Sequence, residues 1–384
     1  MDAELLPSRD DVLDGQGTIA FSSGLSGDIY FVNPGERAHR VLGTNDDDLD
    51  QVCPAFSPDG TRLASGQASG HSQIAWGHPA LVITDLTGPG DPSTSTVVPL
   101  GGTTKPPCPL WSPDGRWVAF NTSWWPGEPW GTGGVVWIVE AATGEIRRLT
   151  EVAAADIEWA PNGAGLYIAD RLGIVVYSIA TQRMRTIPDT KGSVALTASP
   201  DGTTLAVERR RAGSWNQYDL WLIGADGSDR RLVAGNYTHH EWAIGPVWSA
   251  DGERIVFQRS THDPAHGGDE LLLFRNDEEV VIVTVSADDR LGPVATQSVL
   301  RPTVTAEGGE AVQWLPVVVT WAPDSRNLRL VGWRQTTSAE ASESWALLAV
   351  PLDAVAETTV LWEAPDLIGS LWIHRLNDFQ SWAG

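Results

Sequence analysis

One short phrase recurs along the chain, and it limits the fold more than any other feature. It reads Ser57-Pro58-Asp59-Gly60, Ser112-Pro113-Asp114-Gly115, Ala160-Pro161-Asn162-Gly163, Ser199-Pro200-Asp201-Gly202, Ser249-Ala250-Asp251-Gly252 and Ala322-Pro323-Asp324-Ser325. Proline presets φ at the second position of a tight turn, Asp or Asn suits the third, and glycine accepts the positive φ that closes it. An aromatic residue precedes five of the six: Phe56, Trp111, Trp159, Trp248 and Trp321. A run such as Trp117-Val118-Ala119-Phe120 follows, suited to an extended, buried strand.

The phrase returns after 55, 48, 39, 50 and 73 residues. Units of that length, each with several short strands, predict an all-β propeller. Second strands are expected at 62–66, 117–121, 166–170, 205–209, 255–259 and 328–334, and third strands at 80–86, 135–140, 173–179, 219–224 and 345–352. The 251–320 stretch is overlong, so 279–285 is either its third strand or an insertion. Residues 1–16 form a polar arm, and 17–384 a single propeller domain. The runs 18–22, 28–33 and 39–42 look like the second, third and fourth strands of a unit without a first. Gly369-Ser370-Leu371-Trp372 matches Gly245-Pro246-Val247-Trp248, so the C-terminal strand is expected to pair with 18–22 and close a seven-bladed ring. Six blades is the alternative, with the overlong stretch or the N-terminal strands outside the ring.

Charge narrows the partners. The net charge is −23, which opposes nucleic acid and anionic membrane surfaces. No apolar run is long enough to span a bilayer. The start of the chain lacks the basic-then-apolar order of a signal peptide, so the protein is read either as cytoplasmic or as exported, periplasmic or extracellular, with its signal removed. Near-exclusive use of arginine among the basic residues, with many Ala and Gly, suggests a GC-rich bacterial source. Cys53 and Cys108 occupy equivalent positions, four residues before the turn serine; neighbouring inner strands are expected to stand too far apart for a disulfide, so two buried free thiols are the first expectation, with a disulfide or a shared soft metal as the alternative.

The motif Trp111-Ser112-Pro113-Asp114-Gly115 with its following strand, and Asp219-Leu220-Trp221-Leu222-Ile223 before Ala225-Asp226-Gly227-Ser228, resemble the WD40-like PD40 repeats of TolB-type propellers. The resemblance covers about residues 17–375. It implies a propeller fold and leaves the activity open, because such repeats occur in periplasmic scaffold proteins, in propeller domains of serine peptidases and in seven-bladed oligogalacturonate lyases. No Gly-x-Ser-x-Gly elbow is present, which removes the peptidase branch.

Up-and-down strands put the turns after strands one and three at one end of each unit and the loops after strands two and four at the other. The turns are short and uniform, so the loop end is the expected site. The 66–79 loop carries His71, Trp76 and His78; the 122–134 loop carries Trp124, Trp125, Glu128 and Trp130; the 209–218 loop carries Arg210, Arg211, Trp215 and Tyr218. His262 and His266 follow, then His239, His240, Glu241 and Trp242, and Gln313 and Trp314, on the segments leading into inner strands. Lys105 and Lys191 lie in loops of the same kind.

Trp124, Trp125 and Trp130 form a stiff aromatic surface for a partner or a carbohydrate, or else pack on their own blade. His239, His240, His262 and His266 read first as scattered surface histidines, with a shared divalent metal as the alternative; no cofactor is otherwise expected. The acidic run Asn45-Asp46-Asp47-Asp48 reads as a solvated loop, since it lacks the alternation and closing Glu of a calcium loop. Without a recognisable nucleophile–base pair, the leading expectation is a non-catalytic scaffold for a protein or peptide. The alternative is a metal-assisted lyase or hydrolase acting on a sugar or acidic small molecule, with Lys105, Lys191 or Arg210 neutralising its charge.

Overall fold

A computed structural model describes residues 19–22, 29–32, 39–42, 49–69, 77–87, 95–100, 106–122, 134–150, 154–170, 172–214, 217–238, 245–260, 278–285, 296–300, 303–305, 311–322, 324–335, 343–355 and 358–365. The chain divides into two compact units, one of Met1–Trp124, Gly133–Val152 and Leu367–Gly384, the other of Trp125–Thr132 and Ala153–Asp366. Every named element among the described residues is a β-strand.

Among the described residues the first unit holds three antiparallel sheets, each wound in sequence order. A three-stranded sheet is built from Ile19–Ser22, Ile29–Val32 and His39–Leu42. A four-stranded sheet follows from Leu49–Phe56, Arg62–Ser69, Gly77–Asp85 and Thr96–Pro99. The third sheet uses Leu110–Trp111, Trp117–Asn121, Val136–Glu140 and Ile146–Arg148. The 369–372 segment expected to complete the first sheet lies outside the described residues.

The second unit holds four four-stranded sheets, spanning 154–187, 193–237, 247–300 and 315–365, and a ribbon of Thr303–Thr305 with Ala311–Gln313. Glu278–Thr284 pairs with Arg254–Ser260 and with Thr296–Leu300, so it is the third strand of its sheet. The extra length of this repeat includes the ribbon that follows.

The turns explain the recurring phrase. Gly60, Gly115, Gly163, Gly202 and Gly252 all have φ between 65° and 71°, and Ser325 holds the same place at 53°. The serine has a second role. Ser57 Oγ donates to Asp59 Oδ1 at 2.6 Å and accepts from Arg62 N at 2.9 Å, and Ser199 repeats this with Asp201 and Thr204 N. At Asp59, burial pushes the carboxyl up, but hydrogen bonds from Ser57 and Thr61 outweigh it and hold the group below its ordinary value.

Second strands read as continuous apolar runs because both faces are covered. Leu205 and Val207 pack with Leu196 of their own sheet and with Tyr167 and Ile174 of the preceding one, while Ala206 joins Ile255, Phe257 and Val281 of the next. Trp314, expected near the loop end, is 1% exposed and packs with Val319, Leu330 and Leu348. It enters the core because it links the ribbon directly to Leu315–Trp321.

Adjacent sheets are joined at the free edges of their inner strands, where backbone groups need partners. The Trp111 indole donates to Ala55 O at 2.9 Å, and the Trp321 indole does the same to Val247 O at 3.0 Å. Arg62 stacks on Trp111 and Arg254 on Trp321, each arginine lying two residues after the turn glycine of the preceding sheet.

The cysteines correct the expectation of free thiols. Cys53 and Cys108 form a disulfide with Cα atoms 5.0 Å apart. The register of the 49–56 strand shifts between Val52 and Ala55, and Cys53 takes φ 54°. This bulge re-aims the side chain toward the next inner strand.

Candidate functional site

Lys191, Arg210, Arg211, Tyr218, His78 and Trp314 of the candidate residues fall among the described residues, and the fold sets the backbones of Lys191 and Arg210 side by side. Arg210 N donates to Gly192 O at 2.9 Å, and the Arg209 guanidinium donates to Lys191 O at 2.8 Å. Lys191 is exposed; Arg209 and Arg210 are half-buried at the end of the strand Thr204–Arg210.

The loop beneath them is firmly held. Thr190 Oγ1 donates to Ile187 O at 2.7 Å and accepts from Ile174 N at 2.8 Å, while Ser193 Oγ donates to Thr190 O at 2.6 Å. Arg230 donates to Pro188 O and to Asp189 O, with its guanidinium 3.5 Å from the Asp189 carboxylate. Burial, then the nearby charge of Arg230, lowers the pKa of Arg209. Arg211 is exposed and pairs with Asp219 at 2.9 Å.

Below this rim lies a polar core. Tyr237 donates its hydroxyl to Glu208 Oε2 at 2.9 Å, and both are buried. Burial, followed by the Glu208 charge, raises the Tyr237 phenol well above its ordinary value. Tyr218 is pushed up to about 12 by burial and then Glu208, with Arg210 opposing. Both phenols stay protonated at neutral pH; Tyr237 donates to Glu208, while Tyr218 accepts from Arg210. The sequence places Arg210 and Tyr218 in a loop, but they pair with each other as strand residues. His78 is likewise exposed on the strand Gly77–Asp85, with Nδ1 3.4 Å from Ser69 Oγ.

Lys105, Trp124, Trp125, Trp130, His239, His240, Trp242, His262 and His266 lie outside the described residues, as do Asn45 to Asp48. Among the described residues no group of three or more His, Cys, Asp or Glu is placed to hold a metal. Nor is any helix there long and apolar enough to cross a membrane. Arg209, Arg230, Glu208 and Tyr237 were not singled out from sequence. The Glu208-Arg209-Arg210-Arg211 run was the available signal, a charged cluster directly after a buried apolar strand.

No protein-family model matches the sequence. None of the curated proteins matches it either. Among solved structures, an oligogalacturonate lyase in complex with manganese aligns over 89% of this chain and 83% of its own, at 12% identity and TM-score 0.51. An oligogalacturonate lyase from Vibrio parahaemolyticus aligns over 89% and 84%, at 12% identity and TM-score 0.53. TolB from Acinetobacter baumannii aligns over 72% of this chain and 63% of its own, at 19% identity and TM-score 0.43. The likeness is one of fold, the PD40-type β-propeller that the repeated turn resembles, and it assigns no activity.

Proposed function

We propose that the chain is a non-catalytic binding scaffold. In this reading it forms one seven-bladed ring over 17–384, closed by pairing of 369–372 with 18–22, and presents its loop end to a protein or peptide partner. The observation that carries the reading is the difference between the two ends of the 193–237 sheet. At the turn end, Ser199, Asp201 and Thr203 satisfy one another. At the loop end, the Arg209 guanidinium is held by the Lys191 carbonyl of a rigid loop, and the Arg230 guanidinium reaches Pro188 O of that loop from the start of its strand. The Cys53–Cys108 disulfide suits maturation in an oxidising compartment and so favours the exported branch.

The test is partner capture by the intact protein, with charge reversal at Lys191 and Arg210 as the control. A partner that is captured and then lost in the reversed variant supports the scaffold. Turnover of a small substrate by metal-loaded protein, with no captured partner, overturns it.

The same basic edge favours one second reading, a metal-assisted lyase or hydrolase on an acidic sugar. Arginines and a lysine neutralise substrate carboxylates, and His239, His240, His262 and His266 would hold the metal. Elemental analysis of wild type and of the four-alanine variant separates the readings: equal, sub-stoichiometric metal in both removes the enzyme. Binding on a glycan array that is lost on replacing Trp124, Trp125 and Trp130 would redirect the scaffold toward carbohydrate.

A further inference from the structure

The rim of the 193–237 sheet has a surplus of positive charge that the fold does not neutralise. At this rim stand four basic residues, Lys191, Arg209, Arg210 and Arg211, and three acidic ones, Asp189, Glu208 and Asp219, in a chain with 26 basic and 49 acidic. Two of the three acids are already engaged: Asp219 pairs with Arg211, and Glu208 accepts from Tyr237. The third, Asp189, is exposed and faces Arg230.

Arg209 and Lys191 are left over. Among the described residues neither has a carboxylate within ion-pair distance; Arg209 spends Nε and Nη2 on the carbonyl of Lys191. That arrangement fixes the guanidinium through a carbonyl and not through a contacting carboxylate; Asp219 and Asp189 act on it only from beyond ion-pair distance. Two arginines, Arg209 and Arg230, are thereby held near each other against their mutual repulsion. Holding cations in place before a ligand arrives lowers the ordering cost of binding an anion. The guanidinium of Arg209, anchored along one side, keeps its remaining donors for a carboxylate.

We propose that Arg209 and Lys191, with Arg230 alongside, form a docking site for the clustered carboxylates of an acidic peptide segment, a reading that rests on the scaffold function above. The charge of the remaining surface selects against longer polyanions. With a net charge of −23, an extended nucleic acid would meet repulsion beyond the rim, whereas a short segment touches only the basic edge.

The experiment measures fluorescence anisotropy of a labelled short polyglutamate peptide titrated with the full chain at low and at physiological salt. Oligothymidylate of matching length serves as the competing polyanion. Saturable binding of polyglutamate is expected, weakening with salt as exposed ion pairs do. Arg209→Gln and Lys191→Gln should each weaken it about five-fold, and the double variant at least about twenty-fold. Arg211→Gln, which removes a cation already paired with Asp219, should change it less than about two-fold. Melting temperatures of the variants verify that the fold persists, and Lys191→Arg should restore binding lost in Lys191→Gln. No binding of polyglutamate, undiminished binding by the folded double variant, or preference for oligothymidylate would each overturn the proposal. A partner captured equally well by the double variant would overturn this site and leave the scaffold standing; polyglutamate binding together with turnover of a small acidic substrate would support the site and remove the scaffold.

Discussion

Two junctions between neighbouring sheets meet the same structural need with opposite chemistry. The need is to satisfy and hold the free edge of an inner strand. Between the 49–99 and 110–148 sheets, the residues three before the aromatic are Cys53 and Cys108, and they are covalently joined. Between the 154–187 and 193–237 sheets, the corresponding residue is Asp156. Its carboxylate is buried and accepts from Leu196 N at 2.9 Å and from Ile157 N at 2.8 Å. Two residues on, the half-buried Glu158 accepts the N–H of Ala198. Between the 193–237 and 247–300 sheets the position becomes Gly245, where a Cβ would lie 2.4 Å from that of Ala195. One place in the repeat is therefore a cross-link, a charged cap or a close contact. The repeat specifies that sheets must meet here, while each pair sets its own dependence on redox state or pH.

The largest effect should come from the covalent junction. A cross-link spanning 55 residues restricts the unfolded chain by ~4 kcal/mol on the chain-entropy model. Cys53→Ser with Cys108→Ser should lower the melting temperature strongly, and thiol reductant should then shift wild type but not the variant. If wild type is insensitive to reductant under conditions that open the bond, the two junctions do not differ in the way described.

Asp156→Ala should follow, costing about 2–3 kcal/mol, because it strands the buried N–H groups of Leu196 and Ile157. Denaturant unfolding should show the loss equally with and without reductant. A cost below ~0.5 kcal/mol would mean that the carboxylate is not the cap its geometry indicates.

Glu158 sharpens the contrast through pH. Burial pushes its carboxyl up to about 8 against the opposing N–H of Ala198. The folded chain then keeps a proton that the unfolded chain releases near pH 4.5. The associated stability is complete below that value and is lost as pH rises through about 8. Glu158→Gln should remove this slope and leave the variant more stable than wild type by ~2 kcal/mol at alkaline pH. Parallel stability curves for the two proteins between pH 5 and 9, on the order of 1 kcal/mol or less apart throughout, would contradict the assignment.

The sequence made the strands legible where local chemistry decides them. The second strand at 117–121 was placed to the residue, and 279–285 was narrowed to two roles, of which strand pairing selected one. Geometry between sheets was not legible. Nothing in the spacing of Cys53 and Cys108 reveals a bulge that turns one toward the other. Trp314 reads as a rim residue until its ribbon is seen to feed straight into a core strand. The same limit applies at the candidate site. Lys191 and Arg210 stood out as cations near loops, but Arg209 gains its meaning from a carbonyl contributed by the loop after the preceding sheet.

The two ends of the 193–237 sheet are chemically unequal, and the cationic one is proposed to receive the ligand. Hydrogen–deuterium exchange of the full chain with and without saturating polyglutamate tests it most directly. Slower exchange in the 188–192 and 209–217 segments, with the 199–202 turn unchanged, is the predicted result. Protection confined to the turn, or spread evenly over both ends, would contradict it.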